Sequence, residues 1–331
     1  MNDIPLYPLQ FEPVYQYRLW GGQRLAGLFN ASLTGDAPVG EAWLLSDRDE
    51  HSSVIANGPL KGRTLRELVN QRPKQTLGAR SGRIRRFPLL MKFLDVRGSL
   101  SVQVHPSDQQ TAFLPAGESG KTEAWVVLAA GPESRVYAGL MPETSKHVLR
   151  QALAKGTVAD HLASFTPKTG DAVFIPAGTV HSLHDLVVFE VQENSDVTFR
   201  LYDWNHIDAK THQPRPLQVE QAMACIDFSQ EAISPVVPVV EGAGPALRER
   251  LFDCEHFGLW RVRSELPFPV GAIGAPRVLV CIDGEGNVNH EGTGYPCGKG
   301  DVLLLPAEVG ACACVPRGSM TLLEIAAPEG A

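Results

Sequence analysis

Residues 170–181 read Gly-Asp-Ala-Val-Phe-Ile-Pro-Ala-Gly-Thr-Val-His, and no other stretch restricts the fold as much. Gly170-Asp171 suits a tight turn and Ala172 to Ile175 a short buried strand. Pro176-Ala177-Gly178 then forms a second turn that halts the strand and aims His181 inward. Two upstream segments carry ligand-type side chains at strand spacing. Alternate residues of an extended strand share a face, so Ser101, Gln103 and His105 point together, as do Lys121, Glu123 and Trp125. Two imidazoles, a carboxylate and an amide oxygen delivered from three strands into one interior make an N/O shell suited to a borderline divalent ion. A β-turn whose histidine merely caps a carbonyl would explain His181 alone, but not the other three.

The pattern G-x5-P-x-G-x2-H, with the upstream Gln-x-His and Glu, resembles the paired motifs of the cupin superfamily, a jelly-roll architecture. The rest of the chain agrees with an all-β reading: Gly and Pro are frequent, helical periodicity is sparse, and short β-branched runs recur between turn signals. A few helices interrupt it. Thr64-Leu-Arg-Glu67 has capping-box spacing ahead of Leu68-Val69. Residues 143–162 carry apolar positions at helical spacing around a break at Gly156, and 216–226 reads as a helix begun by Pro216. His147 and His161 fall on these helices as surface or capping residues. Ser234 to Pro245, rich in Pro, Val, Gly and Ala, is the expected linker.

Beyond the linker the 170–181 block has an echo. Gly300-Asp-Val-Leu-Leu-Leu-Pro306-Ala-Glu308-Val-Gly310-Ala311 keeps the Gly-Asp start and the proline, but Glu308 stands where Gly178 would be and Ala311 where His181 would be. The expectation is two cupin-type jelly-roll barrels with a few helices: a metal-binding part over 1–233, a linker over 234–245, and a degenerate part over 246–331 that has lost its ligands.

The 331 residues allow two domains with a substantial core. A net charge of -7 without a basic cluster argues against nucleic acid as the main partner. The start, Met1-Asn-Asp-Ile-Pro-Leu-Tyr-Pro-Leu, lacks a basic segment followed by an apolar one, and no apolar run approaches membrane-spanning length. The expectation is a soluble cytoplasmic protein without membrane partners. All six cysteines, at 225, 254, 281, 297, 312 and 314, lie in the last third. Cys312-Ala-Cys314 has no second pair at zinc-finger spacing, so these read as buried free thiols rather than a metal or redox motif.

Several further segments, in order along residues 6–230, resemble type I mannose-6-phosphate isomerases, particularly the short bacterial form. They are Leu19-Trp20-Gly21-Gly22, Gly40-Glu41-Ala42-Trp43, Pro88-Leu-Leu-Met-Lys92-Phe-Leu-Asp95, Leu100-Ser-Val-Gln-Val-His-Pro106, Gly120-Lys-Thr-Glu-Ala-Trp125, the 170–181 block, and Asn194-Ser-Asp-Val-Thr-Phe-Arg200-Leu-Tyr-Asp-Trp204. The resemblance implies that Gln103, His105, Glu123 and His181 hold one Zn2+, that Arg200 faces the sugar, that Lys121 and Lys92 line the pocket, and that Ser101 touches phosphate. It also implies a monomer or weak homo-oligomer acting on a small sugar phosphate, mannose 6-phosphate to fructose 6-phosphate.

Such a reaction moves a proton between C2 and C1 through an enediol, with negative charge building on O1 or O2. Arg200 would offset that charge. The base is either Lys121, if burial and a metal depress its pKa, or Glu193. Two departures stand out. Longer members carry a lysine downstream of Arg200, where this chain reads Leu-Tyr-Asp-Trp-Asn-His206, and their large helical insertion is missing. Two alternatives remain at this stage: a metal-dependent cupin acting on another sugar or sugar phosphate, and a non-catalytic sugar-binding or regulatory cupin.

Overall fold

The computed structural model describes residues 4–29, 38–82, 85–208 and 210–327. The chain is mostly β, with short helices. Its first part contains β1 (Leu9–Gln10), β2 (Val14–Gly22), β3 (Val39–Leu45), β4 (Leu89–Ser99), β5 (Val102–Val104), β6 (Glu123–Leu140), β7 (Leu162–Phe165), β8 (Ala172–Ile175), β9 (His181–Glu193) and β10 (Phe199–Tyr202). All but β1 join one nine-stranded sheet with the order β10-β5-β9-β4-β2-β3, and β6 pairs with β7, β8 and β9.

The second part contains β11 (Val239–Glu241), β12 (Leu247–Asp253), β13 (Gly258–Ser264), β14 (Phe268–Val270), β15 (Arg277–Asp283), β16 (Glu285–His290), β17 (Thr293–Gly298), β18 (Val302–Leu305), β19 (Cys312–Pro316) and β20 (Met320–Ala326). A seven-stranded sheet runs β1-β18-β15-β20-β13-β12-β11, and a four-stranded sheet runs β14-β19-β16-β17. Both supply side chains to one apolar cluster: Leu279 and Leu323 from the larger sheet meet Val288 and Cys314 from the smaller. Burying one face of each sheet against the other is what an alternating apolar pattern requires.

Two details depart from the sequence reading. Val239–Glu241, inside the expected linker, is a strand paired with β12, held also by the Arg250 Nε bond to Glu241 Oε1 at 2.6 Å. And β1 belongs to the far sheet, with Leu9 opposite Leu304 and Gln10 opposite Leu303. The main apolar cluster is therefore continuous across both parts, from Leu9 and Phe93 to Phe252 and Leu303. Phe174 is its hinge point, with ring contacts to Phe252 and Phe257.

The helices follow their caps. At α1 (Leu25–Phe29) no cap was foreseen; at α2 (Leu65–Gln71) the capping box forms, Glu67 N donating to Thr64 Oγ1 and Thr64 N to Glu67 Oε2. A short α3 (Pro73–Leu77) follows it. α4 (Lys146–Lys155) starts on Ser145 and stops at Gly156, whose φ of 72° is the left-handed conformation glycine adopts without strain. α5 (Val219–Cys225) begins three residues later than Pro216 predicts, because Arg200 N and Gln218 Oε1 tie the preceding segment to β10. None of the described helices is long and apolar enough to cross a membrane. The cysteines are free, five of them buried, and Cys312 and Cys314 share the inner face of β19 while Ala313 points out.

Candidate active site

The 170–181 block folds as its residues dictate. Gly170 (φ 93°) and Gly178 (φ 88°) take backbone conformations that side chains disfavour, β8 spans Ala172–Ile175, and Gly178 N donates to the His105 carbonyl at 2.9 Å. That last bond ties the turn to the Gln-x-His strand. His181, at the start of β9, lies opposite Gln103 in the β5–β9 register.

His105, Glu123 and His181 are all essentially inaccessible, and one ligand atom from each lies within 4.8 Å of the others. His105 Nε2 is 3.4 Å from Glu123 Oε2 and His181 Nε2 is 3.3 Å from Glu123 Oε1. Each ring is oriented from behind: His105 Nδ1 donates to Val197 O at 2.9 Å and His181 Nδ1 to Thr179 O at 3.0 Å. This fixes the tautomer that leaves each Nε2 lone pair facing the carboxylate, the arrangement of histidines that ligate through Nε2. Burial, and then the Lys121 charge, pull the His105 pKa down to about 3, and burial lowers that of His181. Both rings are neutral, as ligation requires.

Neither Glu123 oxygen accepts a hydrogen bond of good geometry, although both are enclosed. Lys121 Nζ reaches His105 Nε2 and Glu123 Oε2, and Gln103 Nε2 reaches His181 Nε2; two neutral imidazole nitrogens converging on one buried carboxylate are also the donor set that a divalent cation takes. Gln103 completes the set from 3.1 Å, with Nε2 toward His181 and Oε1 accepting from Ser101 Oγ at 3.3 Å. A half-turn of the amide presents the oxygen instead. Among the described residues, a second group that could hold a metal ion is Asp108, Glu193 and His256, outside this cavity.

The trio lies beside a cavity of about 410 Å³ whose wall includes Ser101, Gln103, Lys121, Lys92, Glu190 and Arg200. Lys121 Nζ is 2.8 Å from Glu123 Oε2 and 3.1 Å from His105 Nε2. Burial would lower its pKa, but Glu123 and then Glu190 more than offset this and hold it above the ordinary lysine range. Burial alone therefore does not depress the Lys121 pKa. Lys92 is no snorkelling edge residue: it is 3% exposed, within 4 Å of Glu41, Glu190 and Asp196, and over the Trp43 ring.

Arg200, opposite Gln103 in the β10–β5 register, donates Nη1 to Pro216 O at 2.9 Å. Burial, then Arg215, lower its pKa.

Glu193 is the site residue the structure moves elsewhere. Its Oε2 accepts from Thr122 N and its Oε1 faces His256 Nδ1 at 3.3 Å, outside the cavity. Strict alternation from His181 would put Glu193 on the ligand face. However, Asp185 has φ 46° and the β6–β9 ladder shifts register between Ala130 and Arg135, opposite this point. The face carrying His181 and Leu183 therefore continues through Leu186 and Val188 to Glu190, while Val187, Phe189 and Val191 turn to the other core. Glu190 is the residue that sequence reasoning missed. It accepts Trp125 Nε1 at 2.9 Å, and burial, then Glu123, raise its pKa.

Other missed wall residues are Tyr17, Arg18, Glu41, Asp196 and Arg215. Arg18, two residues before Trp20 on β2, had a sequence signal in that spacing; Arg215, in an irregular segment, had none.

A mostly β chain with a buried His-Glu-His trio beside a cavity lined by lysine, arginine and carboxylate side chains defines a candidate metal site open to a polar small molecule. The family follows from comparison with known proteins. Residues 8–124 match the model of the phosphomannose isomerase type I catalytic domain. The chain is 32% identical over 314 residues to the probable mannose-6-phosphate isomerase GmuF of Bacillus subtilis, covering 92% of this chain and 95% of that one. It is also 32% identical over 305 residues to a mannose-6-phosphate isomerase of Streptococcus mutans, covering 90% and 92%. A crystal structure of the mannose 6-phosphate isomerase from Bacillus subtilis superposes with a TM-score of 0.88 at 28% identity, over 97% of this chain and 99% of that one. The chain belongs to the type I mannose-6-phosphate isomerase family.

Proposed function

We propose that this protein interconverts mannose 6-phosphate and fructose 6-phosphate through an enediol, with one Zn2+ held by His105, Glu123, His181 and Gln103. The observation that carries this reading is the convergence, in a chain of this family, of a cation-ready buried trio with Arg200, Lys121 and Glu190 on one cavity. A bound divalent ion supplies Lewis-acid polarisation of the sugar oxygens.

The chain's own side chains do the rest. Arg200, which forms no ion pair with a described residue, offsets charge developing on O1 or O2. Lys121, kept as an ammonium by Glu123 and Glu190, donates to those oxygens rather than abstracting a carbon-bound proton. Glu190 is the proposed base between C2 and C1, since its raised pKa places a carboxylate nearer to the range a general base needs. Lys92 holds Glu190 and Asp196 in place, and Ser101 orients the Gln103 amide.

We also read the chain as a ligand-bearing part over 1–233 joined through 234–245 to a part over 246–331 without ligands. It would act as a cytoplasmic monomer or weak homo-oligomer. The test is a coupled assay of fructose 6-phosphate formation from mannose 6-phosphate before and after chelation. Activity that falls on chelation and returns with Zn2+ is expected; a fully metallated protein that leaves mannose 6-phosphate unchanged overturns the reading.

A further inference from the structure

Reading outward from the ligands, the wall of the cavity follows a definite order. Gln103 comes first, Arg200 lies across from it in register, and Arg200 holds the carbonyl of Pro216, the neighbour of Arg215. Arg215 donates Nε and Nη2 to the two oxygens of Asp203. Its Nη1 has no hydrogen bond to a described residue, and the side chain lines the cavity. Arg18 also lines it, held by a two-point bond to Glu41 through Nε and Nη2 and by one Nη1 bond to Tyr17 O at 3.1 Å, which leaves one N–H on each of Nη1 and Nη2.

The carboxylates of the same cavity are matched. Glu41 takes Arg18, Asp196 and Glu190 face Lys92, and Asp208 accepts the Lys210 and Thr211 N–H groups. Arg200 has no carboxylate within ion-pair distance among the described residues, and its buried Nε is unsatisfied. Arg215 and Arg18 both act to lower its pKa, so the three guanidinium groups are electrostatic neighbours.

Clustered guanidinium groups repel unless an anion lies among them, and a guanidinium edge matches two phosphate oxygens. We infer that Arg215 and Arg18 form the seat for the phosphoryl group of the substrate, at the end of the cavity beyond Arg200. This rests on the isomerase reading and names the part of the site that selects phosphorylated sugars. Each arginine is pinned on one edge by its own carboxylate, which spares the entropy of ordering it when ligand binds. The Ser101 hydroxyl is committed to Gln103.

The experiment uses the full, metallated protein and two probes, inorganic phosphate and mannose 6-phosphate, with unphosphorylated mannose as the control sugar. Arg215→Gln should weaken phosphate binding by calorimetry and raise KM for mannose 6-phosphate by roughly 10- to 100-fold, the range for one charged hydrogen-bond partner. Turnover of mannose and metal content should hold. Because Arg215→Gln orphans Asp203, the double variant Arg215→Gln/Asp203→Asn separates recognition from folding: it should lose phosphate as the single variant does, while Asp203→Asn alone, which frees the guanidinium but keeps it, should weaken phosphate binding much less. Unchanged phosphate affinity in both Arg215 variants, or equal losses for mannose and its phosphate, would overturn the seat. A wild-type protein that binds phosphate through Arg215 yet leaves mannose 6-phosphate unconverted would sink the isomerase reading and leave the seat standing.

Discussion

The turn at 170–181 and its echo at 300–311 share three backbone hydrogen bonds and one side-chain hydrogen bond at matching positions. Gly170 N donates to Val127 O and Val127 N to Asp171 O; Gly300 N donates to Cys281 O and Cys281 N to Asp301 O. Asp171 N bonds Lys168 O as Asp301 N bonds Gly298 O, and each aspartate oxygen returns to the N–H three residues earlier. The turns part after their prolines. The first places glycine at 178, where an added Cβ would come within 3.2 Å of the Asp227 Cβ, and delivers His181. The second places Glu308, which leaves the barrel side altogether and pairs with Arg72 Nη2 at 2.7 Å, and ends in Ala311. The frame thus stands without ligands: strand and turn are fixed by the Gly-Asp hydrogen bonds, and the chemistry is a separate layer of side chains set on it.

That separation can be broken by experiment. The largest effect is expected from His181→Ala and His105→Ala, which should abolish metal retention and lower turnover by at least about 10²-fold, while Gln103→Ala weakens retention less because an amide oxygen donates more weakly. Full occupancy in both histidine variants, read as metal per chain, would show that the first turn is as ligand-free as the second. Next, Arg200→Ala should lower kcat on the order of 10²–10³-fold, the scale for losing one transition-state charge partner. Glu190→Gln should lower it by about 10²–10⁴-fold if it is the base; near-normal kcat in the metallated Glu190 variant would return that role to another group.

A smaller effect concerns pH. His105 has a folded pKa of about 3 against 6.5 for the free side chain, so the unfolded chain binds the extra proton between those values. Its contribution to stability is full above pH 6.5 and is lost as pH falls toward 3. At pH 5 the metal-stripped protein should lose about 2 kcal/mol relative to pH 7.5, and a chelated His105→Ala variant should lose less. Equal acid sensitivity in chemical denaturation of the two would refute this. The smallest effect belongs to the echo: Glu308→Gly, which gives the second turn the glycine of the first, should cost about 1 kcal/mol through the pair between buried Arg72 and the partly exposed Glu308 carboxylate and leave metal content and turnover untouched.

What the chain revealed in advance follows the same division. The strand spacing of Gln103 and His105, the turn before His181, the Thr64 capping box and the shared inner face of Cys312 and Cys314 are local facts, written within a few residues of each other. Glu193 was misplaced because one positive-φ residue, Asp185, reverses the inside-outside parity halfway along β9. The balance at Lys121 depends on Glu123 and Glu190, which approach it only in the folded sheet. Arg215 sits in a stretch without periodicity, and its meaning arises from neighbours on β2 and β10. Period-two reasoning fails at bulges, and electrostatics cannot be read before the charges have met.

The pairing of β1 with β18 bears on the order in which the molecule can be made. Leu9 is joined to Leu304, about 295 residues later, so during synthesis the first strand emerges long before its partner exists. Until then its apolar residues, with those of β4 and β9 that share the same cluster, have only half their eventual neighbours. Closing so long a loop is slow and entropically costly. The strand at Val302–Leu305 is therefore the clasp that closes the shared apolar cluster over the first strand.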